Sequence, residues 1–113
     1  MAKIKWHFKA KQLFRNYVEN ASIEFGKSTA IRWQRERKTI EWRLERYPTS
    51  YPPERLLQGH SIPFRQCLMM NRRFKLIYFY DEAKDTVTIM DIWDTRMEPQ
   101  TLIRRIRQQC QYI

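Results

Sequence analysis

Glycine, cysteine and histidine each occur only twice in 113 residues, and each scarcity removes a class of chemistry. Two glycines cannot build the glycine-rich loops that cradle phosphates, and with only five prolines they leave little flexible linker. Cys67 and Cys110 have no CxxC spacing and no paired histidine, so both read as reduced thiols of the kind found in cores. His7 and His60 are isolated in the chain, which argues against zinc; no metal and no cofactor is expected. No stretch approaches the roughly 20 apolar residues of a membrane span, and no signal-peptide pattern opens the chain. The expected compartment is the cytoplasm.

Aromatic and basic residues are plentiful instead. An aromatic fraction of 14% and a hydrophobic fraction of 42% are enough for a folded core without staples, so residues 1–113 are expected to form one domain. The net charge is +10, unevenly spread. Residues 1–47 hold twelve Lys/Arg against five Asp/Glu, whereas residues 82–113 hold five of each. Such a balance suits nucleic acid or an acidic protein as partner, or a solvated helix face that aids solubility.

Lys3 to Lys9 alternates Ile4, Trp6 and Phe8 with Lys5, His7 and Lys9, a short strand with one wet face. From Ala10 the period lengthens: Leu13, Phe14, Tyr17, Val18, Ala21 and Phe25 recur at helical steps until Gly26 stops the helix. Ser28 is the expected cap of a second helix reaching Tyr47, with Ala30, Trp33, Ile40, Leu44 and Tyr47 inward and Arg37 the one polar residue in phase. Ile31 and Trp42 fall beside that stripe, where they either widen the buried face or mark a partner site. Only Gly26 and Lys27 separate the helices, which predicts an antiparallel helical hairpin. After the proline-containing connector 47–61, Ile62 to Met70 reads as a strand. Asn71-Arg72 should turn tightly into FKLIYFY, and Asp81 to Asp85 into Thr86–Trp93. Val87 and Ile89 share one phase and Ile92 the other, so a bulge is expected near Met90-Asp91. Pro99 opens a last helix with Leu102, Ile103, Ile106 and Cys110 inward and Arg104, Arg105 and Arg107 wet. The fold class is α+β: an N-terminal strand, a helical hairpin, a three-stranded antiparallel meander completing one sheet, and a short C-terminal helix.

RNA cleavage by the 2′-hydroxyl needs a base, cations for the phosphorane, and an acid for the leaving oxygen. Arg65, Arg73, Lys75 and Arg96 fall on adjacent strands or their ends and supply the cations. Asp94, Tyr78 and Tyr80 are the proton-transfer groups near them in sequence, but Asp94 is spaced to pair with Arg96 and the tyrosines are in phase with the core. Trp93 beside Arg96 is placed to stack a base or anchor a protein partner. No metal cluster, nucleophile triad or phosphate loop is present.

Over residues 3–99 the chain resembles the RelE/ParE superfamily of toxins from type II toxin–antitoxin systems. The resemblance rests on YVENASIEFG at the end of the first helix and a second helix from Ala30 closing as Leu44-x-x-x-Pro48. It rests also on FKLIYFY and IWDTRMEP in the last two strands. It implies a growth-arresting protein held inactive by a small acidic antitoxin, with Ile31 and Trp42 as docking residues. RelE-like members cleave mRNA on the ribosome, whereas ParE-like members inhibit DNA gyrase without hydrolytic chemistry. By motif, Lys75 stands where the RelE branch has an arginine and Arg96 at its terminal arginine. Asp94 stands where many relatives have histidine and Leu102 where a RelE-type tyrosine is expected. These departures, and the long hairpin, point to the ParE-like branch. The readings that follow are a gyrase-binding toxin with target residues Arg65, Arg73, Lys75, Trp93 and Arg96; an mRNA endonuclease using Lys75, Arg96 and Asp94; and a non-toxic nucleic-acid-binding or regulatory relative.

Overall fold

In the computed structural model, which describes residues 1–112, the chain starts with strand β1 (Lys3–Trp6) and the helices α1 (Phe8–Phe25) and α2 (Lys27–Arg46). The strand is shorter than its alternation suggested. His7 leaves it to cap α1, its Nδ1 accepting the Lys9 N–H at 3.2 Å, so Phe8 and Lys9 are helical. Gly26 alone joins the two helices, at φ 95° and ψ 175°, a region open in practice only to glycine. Ser28 consequently lies inside the first turn of α2 and does not cap it.

The hairpin closes on Ala10, Phe14 and Ala21 from α1 and Trp33, Ile40 and Leu44 from α2. Arg37, the polar residue in phase, is neutralised by Glu41 at 2.6 Å and lies over the Phe14 ring. Ile31 and Trp42 stay 48% and 54% exposed, so they do not extend the core, and Tyr47 is exposed as well. Among the described residues no helix is long and apolar enough to cross a membrane.

Strands β2 (Arg65–Met69), β3 (Phe74–Asp81) and β4 (Thr86–Asp94) form an antiparallel meander, and β1 adds to β4 in parallel, in the order β1-β4-β3-β2. The register steps from Ile77↔Asp91 to Tyr78↔Ile89, which leaves Met90 as the bulged residue, as the phase slip in the sequence required. Residues paired across strands share a face, and both faces are covered. Leu76, Tyr78, Val87, Ile89 and Ile92 pack under the hairpin. Ile77, Phe79, Met90 and Trp93 pack under helix α3 (Pro99–Gln109) and a 3₁₀ turn at Arg55–Leu57. Leu102 and Ile106 are fully buried there, worth about 3–6 kcal/mol together in holding α3 down.

Two local departures matter. Ile62 and Phe64 pack into the α3-side cluster from a loop, the Phe64 N–H bonding back to the Ile62 carbonyl, so β2 starts only at Arg65. The β2–β3 turn takes four residues between the Met69↔Phe74 pair, with Met70, Asn71 and Arg72 all at positive φ (51°, 57° and 66°). Left-handed backbone costs about 1–2 kcal/mol per non-glycine residue. Helix α2 holds the turn in place: Glu36 accepts the Met70 N–H at 2.8 Å, and Arg32 donates to Asn71 Oδ1 at 2.7 Å.

Candidate functional site

The four cations expected on one surface are divided among three places. Arg65, opposite Tyr78 on β3, donates to the Tyr51 carbonyl at 2.6 Å and so fastens the connector after α2. It is roughly 13 Å along the sheet from Phe74 at the rise of a β-strand. Lys75 lies on the α3 side, its Nζ 3.3 and 3.0 Å from the two oxygens of Glu54, whose side chain is 1% exposed. Trp93, opposite Lys75, is buried beneath Arg105 and presents no stacking surface.

Arg73 and Arg96 remain together, on the hairpin side. They line a cleft of about 460 Å³ whose walls include Tyr17, Arg32, Phe74 and Asp94. Thr95 ties its two rims together: its N–H bonds the Arg73 carbonyl at 2.9 Å, and its hydroxyl donates to the Arg72 and Arg73 carbonyls at 3.0 Å. Tyr17 stacks on Trp33 with centroids 5.7 Å apart and meets Phe74 at 4.7 Å. Burial pushes its hydroxyl pKa up. Its helical phase matches the core stripe, so sequence reasoning placed it in the core and missed its edge on the cleft.

Asp94 is the ion-pair partner that its spacing suggested. Its carboxylate accepts Nε of Arg96 at 3.1 Å, Nη2 at 2.9 Å and the Arg96 backbone N–H at 2.9 Å. The Arg96 bond holds the Asp94 pKa below the ordinary range and raises that of Arg96, so this carboxylate is a poor base. The strand tyrosines are structural. Tyr78 is buried, donates to the Pro48 carbonyl at 2.8 Å and is pushed up to about 12 by desolvation. Tyr80 donates to Asp85 at 2.6 Å, which raises its pKa.

On the opposite side of the sheet, Asp91 is fully buried and pairs with Arg105 of α3, correcting the expectation that Arg105 is wet. Desolvation raises the Asp91 pKa to about 6 despite that cation. Cys67 is buried and its thiol pushed up by desolvation, while Cys110 Sγ lies 4.0 Å from His60 Nε2. Among the described residues no three His, Cys, Asp or Glu side chains converge as a metal site.

No family model matches the chain, and no curated protein matches it in sequence. Its fold does match a solved structure. The crystal structure of the isolated E. coli RelE toxin superposes with a TM-score of 0.57, covering 94% of this chain and 99% of that one at 15% identity. The chain has the RelE fold. At that identity the likeness extends to architecture alone. In this version of the RelE fold, Lys75 and Arg96, which the family motif would combine, belong to different sides of the sheet.

Proposed function

We propose that this chain is the toxin half of a type II toxin–antitoxin pair, and that it arrests growth in the cytoplasm by binding DNA gyrase in the ParE manner without cleaving a substrate. The observation that carries this reading is the engagement of the cations. Lys75 is neutralised by Glu54 on the α3 side and Arg96 by Asp94, and Asp91, whose carboxyl desolvation raises to about 6, is sealed beneath α3. Binding needs no proton transfer, whereas cleavage does. The neutralising partner is an acidic antitoxin, and Ile31 and Trp42 on α2 are its proposed anchors. Both are exposed, with Arg35 and Lys38 between them and Arg46 stacked 4.2 Å over the Trp42 ring.

A second reading, ribosome-dependent mRNA cleavage, is favoured by the cleft in which Tyr17 faces Arg73 and Arg96. Supercoiling by gyrase and mRNA cleavage on ribosomes, assayed in parallel, decide between them. Inhibited supercoiling with intact mRNA is the expected result. Codon-positioned cleavage that disappears in Arg96→Ala and Tyr17→Phe overturns the gyrase reading. Expression should arrest growth, and co-expression of an adjacent small acidic reading frame should relieve it. A susceptible host that grows normally would leave the non-toxic nucleic-acid-binding or regulatory relative.

A further inference from the structure

The face of the helical hairpin turned away from the sheet carries four exposed apolar side chains. On α1, Phe8, Gln12, Arg15, Glu19 and Ile23 recur at three- and four-residue steps, opposite the buried Phe14 and Ala21. On α2, Ile31, Arg35, Lys38 and Trp42 do the same, opposite Trp33, Ile40 and Leu44. Phe8 is 56% exposed, Ile23 76%, Ile31 48% and Trp42 54%. The antiparallel hairpin sets Phe8 and Trp42 at one end of this face and Ile23 and Ile31 at the other, about 17–22 Å away at the rise of a helix. Arg15, Arg35 and Lys38 stand between the two ends, with Lys27 and Arg46 beside them, against the carboxylates Glu19 and Glu45. Arg15, Lys27, Arg35 and Lys38 have no ion-pair partner among the described residues, and Arg46 lies over the Trp42 ring.

We infer that this face seats the protein on an anionic phospholipid surface, as a peripheral contact with both helices in the plane of the headgroups. The interface for a folded protein has an apolar centre and a polar rim, and this face has the reverse. A bilayer takes dispersed anchors one at a time, because each apolar side chain meets hydrocarbon wherever it stands. The cations between the anchors stay at the level of the lipid phosphates, which they complement in charge. Trp42 suits the headgroup boundary, with an apolar ring and a polar N–H. Nucleic acid would satisfy the cations but not the aliphatic anchors, since Ile23 and Ile31 have no ring on which a base can stack. The inference goes beyond the toxin reading and does not rest on it. An antitoxin segment docked on Ile31 and Trp42 would leave Phe8 and Ile23 of α1 unexplained, and would compete with the bilayer for the anchors it covers.

Co-sedimentation of the intact protein with vesicles tests the contact, comparing pure phosphatidylcholine with a three-to-one mixture of phosphatidylcholine and phosphatidylglycerol. Partitioning onto the anionic vesicles should be about tenfold or more the stronger. Ile23→Ser/Ile31→Ser should weaken it about tenfold with Tm unchanged, because both side chains are exposed. Arg35→Gln/Lys38→Gln should weaken it by a similar factor, and Leu68→Ser, at an exposed position of β2, should leave it unchanged. Of the four tryptophans only Trp42 is exposed, so lipid brominated along its acyl chains should quench the protein's emission, and Trp42→Phe should abolish that quenching. Equal binding to both vesicles, adsorption that Ile23→Ser/Ile31→Ser leaves unchanged, or emission that brominated lipid does not quench overturns the inference. So does a single-stranded oligonucleotide that binds more tightly than the anionic vesicles and depends on Arg35 and Lys38. Growth arrest is a separate readout, so a failed toxin reading and a failed membrane contact are distinguishable.

Discussion

Replacing Lys75 by methionine separates a structural cation from a catalytic one. The substitution keeps the volume of the stem and removes the charge that neutralises Glu54. The Glu54 side chain is 1% exposed and that of Lys75 22%, so the carboxylate is left almost wholly desolvated. Its remaining hydrogen bond, from the Leu56 N–H at 3.1 Å, does not supply a counter-charge. Removing one partner of such a pair costs about 3–5 kcal/mol. With an unfolding entropy of about 0.24 kcal/mol/K for a chain of this length, Tm should fall by roughly 12–21 °C. The double variant Glu54→Gln/Lys75→Met removes both charges and retains an acceptor for Leu56, and should recover to within about 2 °C–8 °C of the parent. Thermal unfolding followed by circular dichroism reads all three proteins. A single variant within about 3 °C of the parent, or a double variant no better than the single, refutes a buried Glu54–Lys75 pair. If the result is as expected, lost activity in a Lys75 variant reports the fold and carries no evidence for catalysis.

Arg96→Ala and Arg73→Ala, both at exposed positions, should leave Tm within about 2 °C of the parent, so a loss of growth arrest in either would implicate the cleft directly. The Asp91 carboxyl is raised from 3.8 to about 6, so the folded state holds an extra proton between those values, and the stability this group contributes falls as pH rises through that window. Asp91→Asn lacks that slope and should gain about 2 kcal/mol relative to the parent between pH 4.5 and 7 in urea titrations; a loss over the same interval would contradict burial as the dominant cause. Gly26→Ala adds a methyl that meets nothing within 4 Å, yet its φ of 95° alone should cost about 1–3 kcal/mol, and an unchanged midpoint in urea would disprove backbone strain there.

The hairpin, the meander and α3 were legible because their signals are local. Helical spacing from Ala10 to Phe25, a glycine at position 26, alternation in FKLIYFY and Pro99 before an apolar stripe each act within a few residues. Even the bulge at Met90 was readable, since a phase slip between Ile89 and Ile92 has no other regular solution. Misreadings arose where a residue's neighbour in space is remote in sequence. Ile62 and Phe64 looked like strand because both are apolar, but they reach the α3-side core from a loop. Trp93 looked like a platform because α3, which covers it, follows β4 and could not be placed in advance.

The sequence by itself determined the elements, their order and the family they resemble, because periodicity, capping and turn chemistry are short-range. It could also number the cations. Which of them are free was decided only in the tertiary structure. Lys75 is taken by Glu54 from 21 residues away and Asp91 by Arg105 from 14, while Arg96 needs only its near neighbour Asp94. An ion's chemistry depends on its desolvation and on the charge beside it, and both are set when distant segments pack. Gln109 shows the same dependence: an ordinary amide in the sequence becomes a buried acceptor without a donor once α3 lies against α1.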